Sequence, residues 1–194
     1  MIIGEGSGHS MEKGARRGAA PDVQALDTTT IFREHAPFVW RVVRRLGVAE
    51  SDTADVCQEV FVVIHRRLAE FEGRSSVRTW VYGICVRAAS DYRRRVSRRR
   101  ETVTDDVPEA ATEPRQDVAL SMREARARLD RVLDELDDDK RAVFVLYEIE
   151  ELTMADVASA VGCPLQTAYS RLHAARAHVQ ESIQRMRTRD EVAQ

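Results

Sequence analysis

The stretch LTMADVASAVGCPLQTAYSRLHAARAHV, from Leu152 to Val179, constrains the fold more than any other part of the chain. Two helical periodicities meet there across a three-residue break containing Gly162 and Pro164. Thr153 can cap the first helix, and Asp156 stands three residues on, close to the spacing of a capping box. Met154, Val157, Ala158 and Val161 give that helix one apolar face. Gly162 supplies the turn, since glycine accepts positive φ without a steric penalty. Pro164 suits the start of a new helix, where its missing N–H removes no bond. Leu165, Ala168, Leu172, Ala175 and Val179 recur at helical spacing and are expected to face inward. Gln166, Thr167, Tyr169, Ser170, Arg171, His173 and Arg176 then fall on the opposite side. Hydrogen-bonding and cationic groups of this kind reach base edges and phosphates, so the segment reads as a helix-turn-helix. The alternative is an ordinary helical hairpin with a solvated polar face.

The rest of the chain is also helical in its periodicity, with no convincing alternation of the strand type. A first helix is expected over about Thr29 to Leu46, with Ile31, Phe32, His35, Phe38, Val39, Val42, Val43 and Leu46 on its apolar stripe. Pro37 predicts a kink or a late start, and Gly47 an end. A second helix, about Ser51 to Phe71, would bury Val56, Cys57, Val60, Phe61, Ile64 and Leu68. A third, from near Ser76 to the arginine cluster, would turn Trp80, Val81, Ile84, Cys85, Ala88 and Tyr92 inward. Leu129, Val132, Leu133 and Leu136 mark a fourth helix, and Ala142, Val143, Leu146 and Tyr147 a fifth, with Asp137, Asp138 and Asp139 at the turn between. The expected fold is therefore all-α. It comprises a tail over residues 1–25, a helical domain over 26–100, an acidic flexible linker over 101–117, and a helix-turn-helix domain over 118–188.

Charge supports this division. The formal net charge is −2, which argues against a uniformly basic nucleic-acid binder. The distribution is uneven, however. Tyr92 to Arg100 reads YRRRVSRRR, whereas the following residues, Glu101 to Asp117, are strongly acidic and hold Pro108 and Pro114. Such a sign reversal suggests surfaces meant for different neighbours. The acidic segment has too few large apolar groups to fold alone.

Other function classes find little support. Cys57, Cys85 and Cys163 are far apart and form no CxxC pair, so neither a disulfide framework nor a zinc site is expected. Cys57 and Cys85 lie on apolar faces, as small buried hydrophobes do. His173 and His178 are wrongly spaced to share a metal on a helix. No apolar run approaches a membrane span, and the N-terminal residues lack the apolar core of a signal peptide; a cytoplasmic location is expected. No glycine-rich phosphate loop follows a strand, and no acid pairs with His or Cys in a catalytic motif. The expectation is a non-enzyme with no catalytic residue, metal or cofactor.

Two further stretches carry a resemblance. DTADVCQEVF, Asp52 to Phe61, resembles the helix by which bacterial sigma factors grip RNA polymerase. FEGRSSVRTWVYGICVRAASDYRRR, Phe71 to Arg95, resembles their segment that melts and reads the −10 promoter element. The helix-turn-helix is similar to the sigma domain that reads the −35 element. Order, spacing and size resemble the extracytoplasmic-function (ECF) class over about residues 28 to 187.

What the resemblance implies can be carried over position by position. Asp52, Asp55, Gln58, Glu59 and Phe61 would meet core polymerase at the clamp helices of the β′ subunit. The spacing of Asp52, Asp55 and Glu59 makes one acidic stripe on a helix, which without the resemblance would read as a solvated face. Arg74, Ser75, Ser76, Arg78 and Trp80 would serve a base flipped from the −10 element, with Arg87, Arg93, Arg94 and Arg95 on phosphates. Trp80 also falls on its helix's inward stripe, which favours packing as its main task. Gln166, Thr167, Tyr169, Ser170, Arg171, His173 and Arg176 would face the −35 element. Many members of the class have a basic residue where this chain has Tyr169, and often another at Ala174, so the −35 sequence cannot be copied from a relative. The implied partners are core RNA polymerase (β′ clamp helices and β flap), promoter DNA and an anti-sigma factor. The acidic linker would either thread the polymerase cleft or act as a solubilising tether.

Two rivals remain at this level. One is a helix-turn-helix regulator whose first domain senses a ligand or dimerises. The other is a helical protein-binding module, which the arginine cluster disfavours.

Overall fold

A computed structural model describes residues 27–102 and 117–192. Seven α-helices account for most of them, and no strand occurs among the described residues. They are α1 (Thr28–Arg45), α2 (Thr53–Arg67), α3 (Val77–Thr102), α4 (Asp117–Asp134), α5 (Asp138–Phe144), α6 (Met154–Val161) and α7 (Leu165–Val192). The expected tail and most of the acidic linker lie outside the described residues.

Helices α1, α2 and α3 pack mutually into a first body. The Asp27 carboxylate caps α1 by accepting from the Thr30 N–H at 2.5 Å. Pro37 does not delay that helix, which runs continuously from Thr28 through it. The α-helical second element is shorter than its periodicity suggests, because single 3-10 turns, Glu50–Asp52 and Leu68–Glu70, flank it. Ile31, Val39, Val42, Val43, Val56, Val60, Ile64, Val81 and Cys85 form the centre of the body. Each such side chain contributes about 1.5–3 kcal/mol by leaving water.

Phe32 departs from its expected inward position and is 53% exposed. It lies at the edge of the apolar stripe and meets Phe61 edge-on at 4.7 Å, forming a surface pair instead of core. His35, Phe61 and Leu68 are half-buried for the same reason of place. Trp80 is also half-buried and packs on Phe71 at 5.1 Å. Burial pushes the Cys57 thiol up to about 11, so it behaves as a hydrophobe rather than a nucleophile.

Helices α4 to α7 form the second body, with α7 packed against α4, α5 and α6. Asp137 caps α5 by accepting from the Lys140 N–H at 2.9 Å, while Asp138 and Asp139 occupy its first turn. Thr153 caps α6 by accepting from the Asp156 N–H at 3.2 Å. Gly162 ends α6 at φ +70°, the left-handed conformation that the sequence reserves for it. Leu165 is a correction: it is 48% exposed at the first position of α7, and Ala168 is the first residue of that helix to reach the core.

Two boundaries move. Helix α3 extends to Thr102, into the expected linker, and α4 begins at Asp117. The fifth helix changes character midway: α5 passes into a π-helical segment, Val145–Ile149. There the Glu150 N–H bonds to Val145 O at 3.0 Å, and Glu151 follows at φ +56°. A non-glycine residue in that region is uncommon and stores strain of about 1–3 kcal/mol.

The two bodies touch. Helix α3 packs on α6, close enough that a Cβ on Gly83 would lie 3.1 Å from the Ala160 carbonyl oxygen. Joined in this way, their apolar interiors form one continuous cluster.

Candidate nucleic-acid interface

The acidic face of α2 presents Asp55, Gln58 and Glu59 to solvent. Asp52 leaves the expected stripe: its carboxylate accepts from the Tyr92 hydroxyl at 2.7 Å and so ties α2 to α3. Glu59 accepts from Arg95 at 3.2 Å, an exposed pair worth little by itself. The Phe32–Phe61 pair adds an apolar edge across α1 and α2, and Val62 is also exposed.

The loop before α3 carries the next group. Arg74 is exposed and pairs with Glu72 at 2.6 Å. Ser76 caps α3, its hydroxyl accepting from the Thr79 N–H at 3.0 Å, so its first duty is structural. Ser75 is half-buried beside it. Along α3, Arg87 donates to the Gly83 carbonyl at 3.3 Å, and Arg94 pairs with Asp91 at 2.8 Å. Arg93 reaches across to the second body and meets Asp138 at 2.7 Å, while Ser90 donates to the same carboxylate at 3.2 Å.

On α7 the polar side of the helix-turn-helix stands open. Gln166, Tyr169, Ser170 and His173 are exposed, and Thr167 is half-buried. Ser170 donates to Gln166 O within the helix at 3.0 Å. Arg171 pairs with Asp139. Arg176 meets Glu148 at 2.6 Å and lies over the Tyr147 ring at 5.6 Å. These arginines are thereby aimed, which limits the rotamer entropy lost when a ligand binds. An open groove of about 420 Å³ runs along α7, lined by Phe144, Val179 and Ile183 together with Arg176 itself.

One cluster has no counterpart in the sequence reading. Glu150, at the end of the π segment, is buried although it is a carboxylate. Arg41 grips it with two parallel bonds of 3.2 and 3.1 Å, Arg45 donates at 2.6 Å, and the buried Tyr82 hydroxyl donates at 2.8 Å. Arg78 lies 3.8 Å away and donates to Tyr82 at 3.0 Å, with its guanidinium 5.5 Å from the centre of that ring. Burial by itself would raise the Glu150 pKa, but the bonds from Arg41 and Tyr82 hold it below the ordinary value of 4.5. Burial also pushes the Tyr82 hydroxyl far above its usual range, so it remains a donor. A second buried ion, Arg141, donates to Asp134 at 2.7 Å and packs on Gly47, where a Cβ would lie 1.9 Å from its Nη1. Burial depresses the Arg141 pKa.

Neither Glu150 nor Tyr82 stands out by spacing. Arg41 and Glu150 are 109 residues apart, and Tyr82 and Glu150 are 68 apart. The available signal was weak: a carboxylate, Glu150, immediately before a helix-turn-helix, and a tyrosine inside an apolar run.

Among the described residues, no three His, Cys, Asp or Glu side chains converge as a metal site requires. No described helix is long and apolar enough to cross a membrane.

Comparison with known proteins decides the family. Residues 31–99 match the model of sigma-70 region 2, and residues 126–179 match that of sigma-70 region 4. The ECF RNA polymerase sigma-E factor of Escherichia coli strain K12 is 30% identical over 71% of this chain and 76% of its own length. The chain belongs to the ECF class of sigma-70 RNA polymerase sigma factors.

The RNA polymerase sigma-H factor of Pseudomonas aeruginosa is 28% identical to this sigma factor, over 84% of this chain and 88% of its own. Two solved structures share the fold. One, of the sigma factor RpoE with the anti-sigma factor NepR from Bartonella quintana, matches with a TM-score of 0.66 and 20% identity, over 80% of this chain and 96% of that one. The other, of CnrH with the cytosolic domain of CnrY, matches with a TM-score of 0.61 and 23% identity, over 81% of this chain and 87% of that one. As a sigma factor, the protein works with core RNA polymerase and promoter DNA to initiate transcription. Its class consists of transcription initiation factors. The rival regulator with an unrelated sensing domain is set aside by the match over residues 31–99.

Proposed function

We propose that the two bodies divide the promoter between them. The first, residues 26–100, engages core polymerase through Asp55, Gln58, Glu59 and Phe61 on α2, with Asp52 holding the helix in place from behind. Its −10 contacts come from Arg74, Ser75, Ser76, Arg78 and Trp80 near the start of α3, and from Arg87, Arg93 and Arg94 further along. The second, residues 118–188, lays the polar side of α7 against the −35 element. Gln166, Thr167, Tyr169, Ser170 and His173 read bases there, while Arg171 and Arg176 bind the backbone. Residues 101–117 act as the tether.

The observation that carries this reading is the exposed side of α7: hydrogen-bonding groups clustered on one face of a helix whose other face is core. A helix presented in this way fits the major groove, where donor and acceptor patterns distinguish all four base pairs. The β′ clamp helices are the partner for the acidic face of α2, and the β flap is the partner for the groove beside Phe144, Val179 and Ile183. An anti-sigma factor and a cytoplasmic location complete the proposal; a sigma factor of the same fold is crystallised with such a partner.

Run-off transcription with purified core polymerase and genomic fragments tests the reading. Discrete starts that depend on this protein, lost on Gln166→Ala with Tyr169→Ala, are the expected result. Unaltered start sites in that variant would remove α7 from promoter reading.

A further inference from the structure

Three arginines and a tyrosine on one body converge on a single carboxylate of the other. The arrangement is a receptor: Arg41 offers a planar fork to both oxygens, Arg45 closes on one of them, and Tyr82 donates to the other from a buried position. All four receptor side chains belong to α1 and α3 of the first body, whereas their occupant belongs to the second. If the bodies part, three guanidinium groups lose their shared counter-charge. Opening leaves three neighbouring cations without that carboxylate, and their summed positive potential attracts a replacement anion. A phosphodiester fits the same donors, since it too presents two oxygens to a bidentate arginine. Arg78 links the receptor to the loop at 72–76 and stands in the first turn of α3. A strand held by that loop is thus led toward the receptor.

The other contacts between the bodies point the same way. Arg93 is held by Asp138, and Thr79 donates to Asp156 at 3.2 Å. Each pairs a group on α3 with a carboxylate of the second body. In the arrangement described, acidic side chains therefore stand where a nucleic acid backbone would make similar bonds. The strained π segment and Glu151 are what bring Glu150 into the receptor, because a regular α-helix would carry the chain on in its previous direction.

We propose that Arg41, Arg45, Arg78 and Tyr82 form a phosphate receptor for the DNA strand, and that Glu150 fills it as an internal competitor when the two bodies are docked. This rests on the promoter-binding reading above and adds a site and a competition that it does not contain. DNA binding and domain docking are then mutually exclusive at this point, and each weakens the other by the same factor.

The test uses the full chain and a labelled pool of random single-stranded 12-nucleotide DNA, because a phosphate receptor has no sequence preference. Glu150→Gln keeps the shape and removes the charge. It is expected to raise affinity by about fivefold or more, in line with the usual size of such couplings. The gain must vanish when Arg41→Ala and Arg45→Ala are added. Unchanged affinity in Glu150→Gln overturns the proposal, as does a gain that persists without the two arginines. Hydrogen exchange on the unmodified protein provides a second measurement that needs no variant. Saturating DNA should increase amide exchange around residues 145–157, where the displaced segment loses its partner. Equal protection with and without DNA overturns the competition. Neither measurement uses polymerase, so their failure alongside intact run-off transcription would reject the receptor and leave the sigma-factor reading standing.

Discussion

Helices α3 and α7 carry similar chemistry toward DNA but meet the rest of the molecule differently. On α3, Arg93 answers to Asp138, and Arg78 lies beside Glu150, both on the other body. On α7, Gln166, Tyr169 and His173 project into solvent, and Arg171 and Arg176 pair only within their own body. One surface is thus partly engaged by the protein itself, while the other is open. Availability is decided by the docking of the two bodies, not by residue type.

The largest expected effect comes from disturbing that docking at its most crowded point. Gly47 sits at φ +92° with Arg141 against it. Gly47→Ala should cost about 3 kcal/mol or more, since it strains the turn and displaces a buried ion from its partner. Chemical denaturation would measure this, and a loss under about 1 kcal/mol would mean that Arg141 moves aside freely.

Next in size is a change that leaves the α3–α7 contrast alone. The exposed acids of α2 lie outside the contacts between the bodies, so Asp55→Arg with Glu59→Arg should abolish co-purification with core polymerase while thermal unfolding shifts little. Retained co-purification would take those residues off the polymerase surface. Arg171→Ala should lower transcription from a −35-dependent promoter about tenfold, through the loss of one phosphate contact, and make it less sensitive to salt. Its companion, Asp139→Ala, frees Arg171 and should change stability by about 0.5 kcal/mol at most, with promoter activity preserved. Equal damage from both variants would show that the ion pair matters and the DNA contact does not.

The smallest effect expected is a response to acid. The docked Glu150 has a depressed pKa, so its contribution to docking is present above the ordinary value of 4.5 and is lost as pH falls through the docked value. Small-angle scattering should therefore show expansion at a pH below about 4.5 that is reduced in Glu150→Gln, where no proton can be taken up. An identical acid response in both proteins would locate the titrating group elsewhere.

The local devices were legible from residue order. Thr153 and Gly162 act within four residues, so capping and turn chemistry predicted them directly, whereas of three aspartates expected at one turn the structure makes Asp137 the cap. The apolar stripes located every described helix, yet they misplaced Phe32 and Leu165, which stand at a stripe's edge and end. Periodicity reports which face turns inward, but not how far the neighbouring helix extends to cover it. The acidic stripe on α2 was read as one surface, and Tyr92 took Asp52 out of it from 40 residues away.

The order of the two bodies rested on a resemblance to sigma factors; residue order alone determined that the chain is helical and which side of α7 is polar. These follow from spacing along one helix, where geometry repeats every 3.6 residues. Only the tertiary structure decided that Glu150 is buried among Arg41, Arg45, Arg78 and Tyr82. The reason is physical: a carboxylate can leave water only where several donors from distant segments arrive together, and their arrival depends on how whole helices pack.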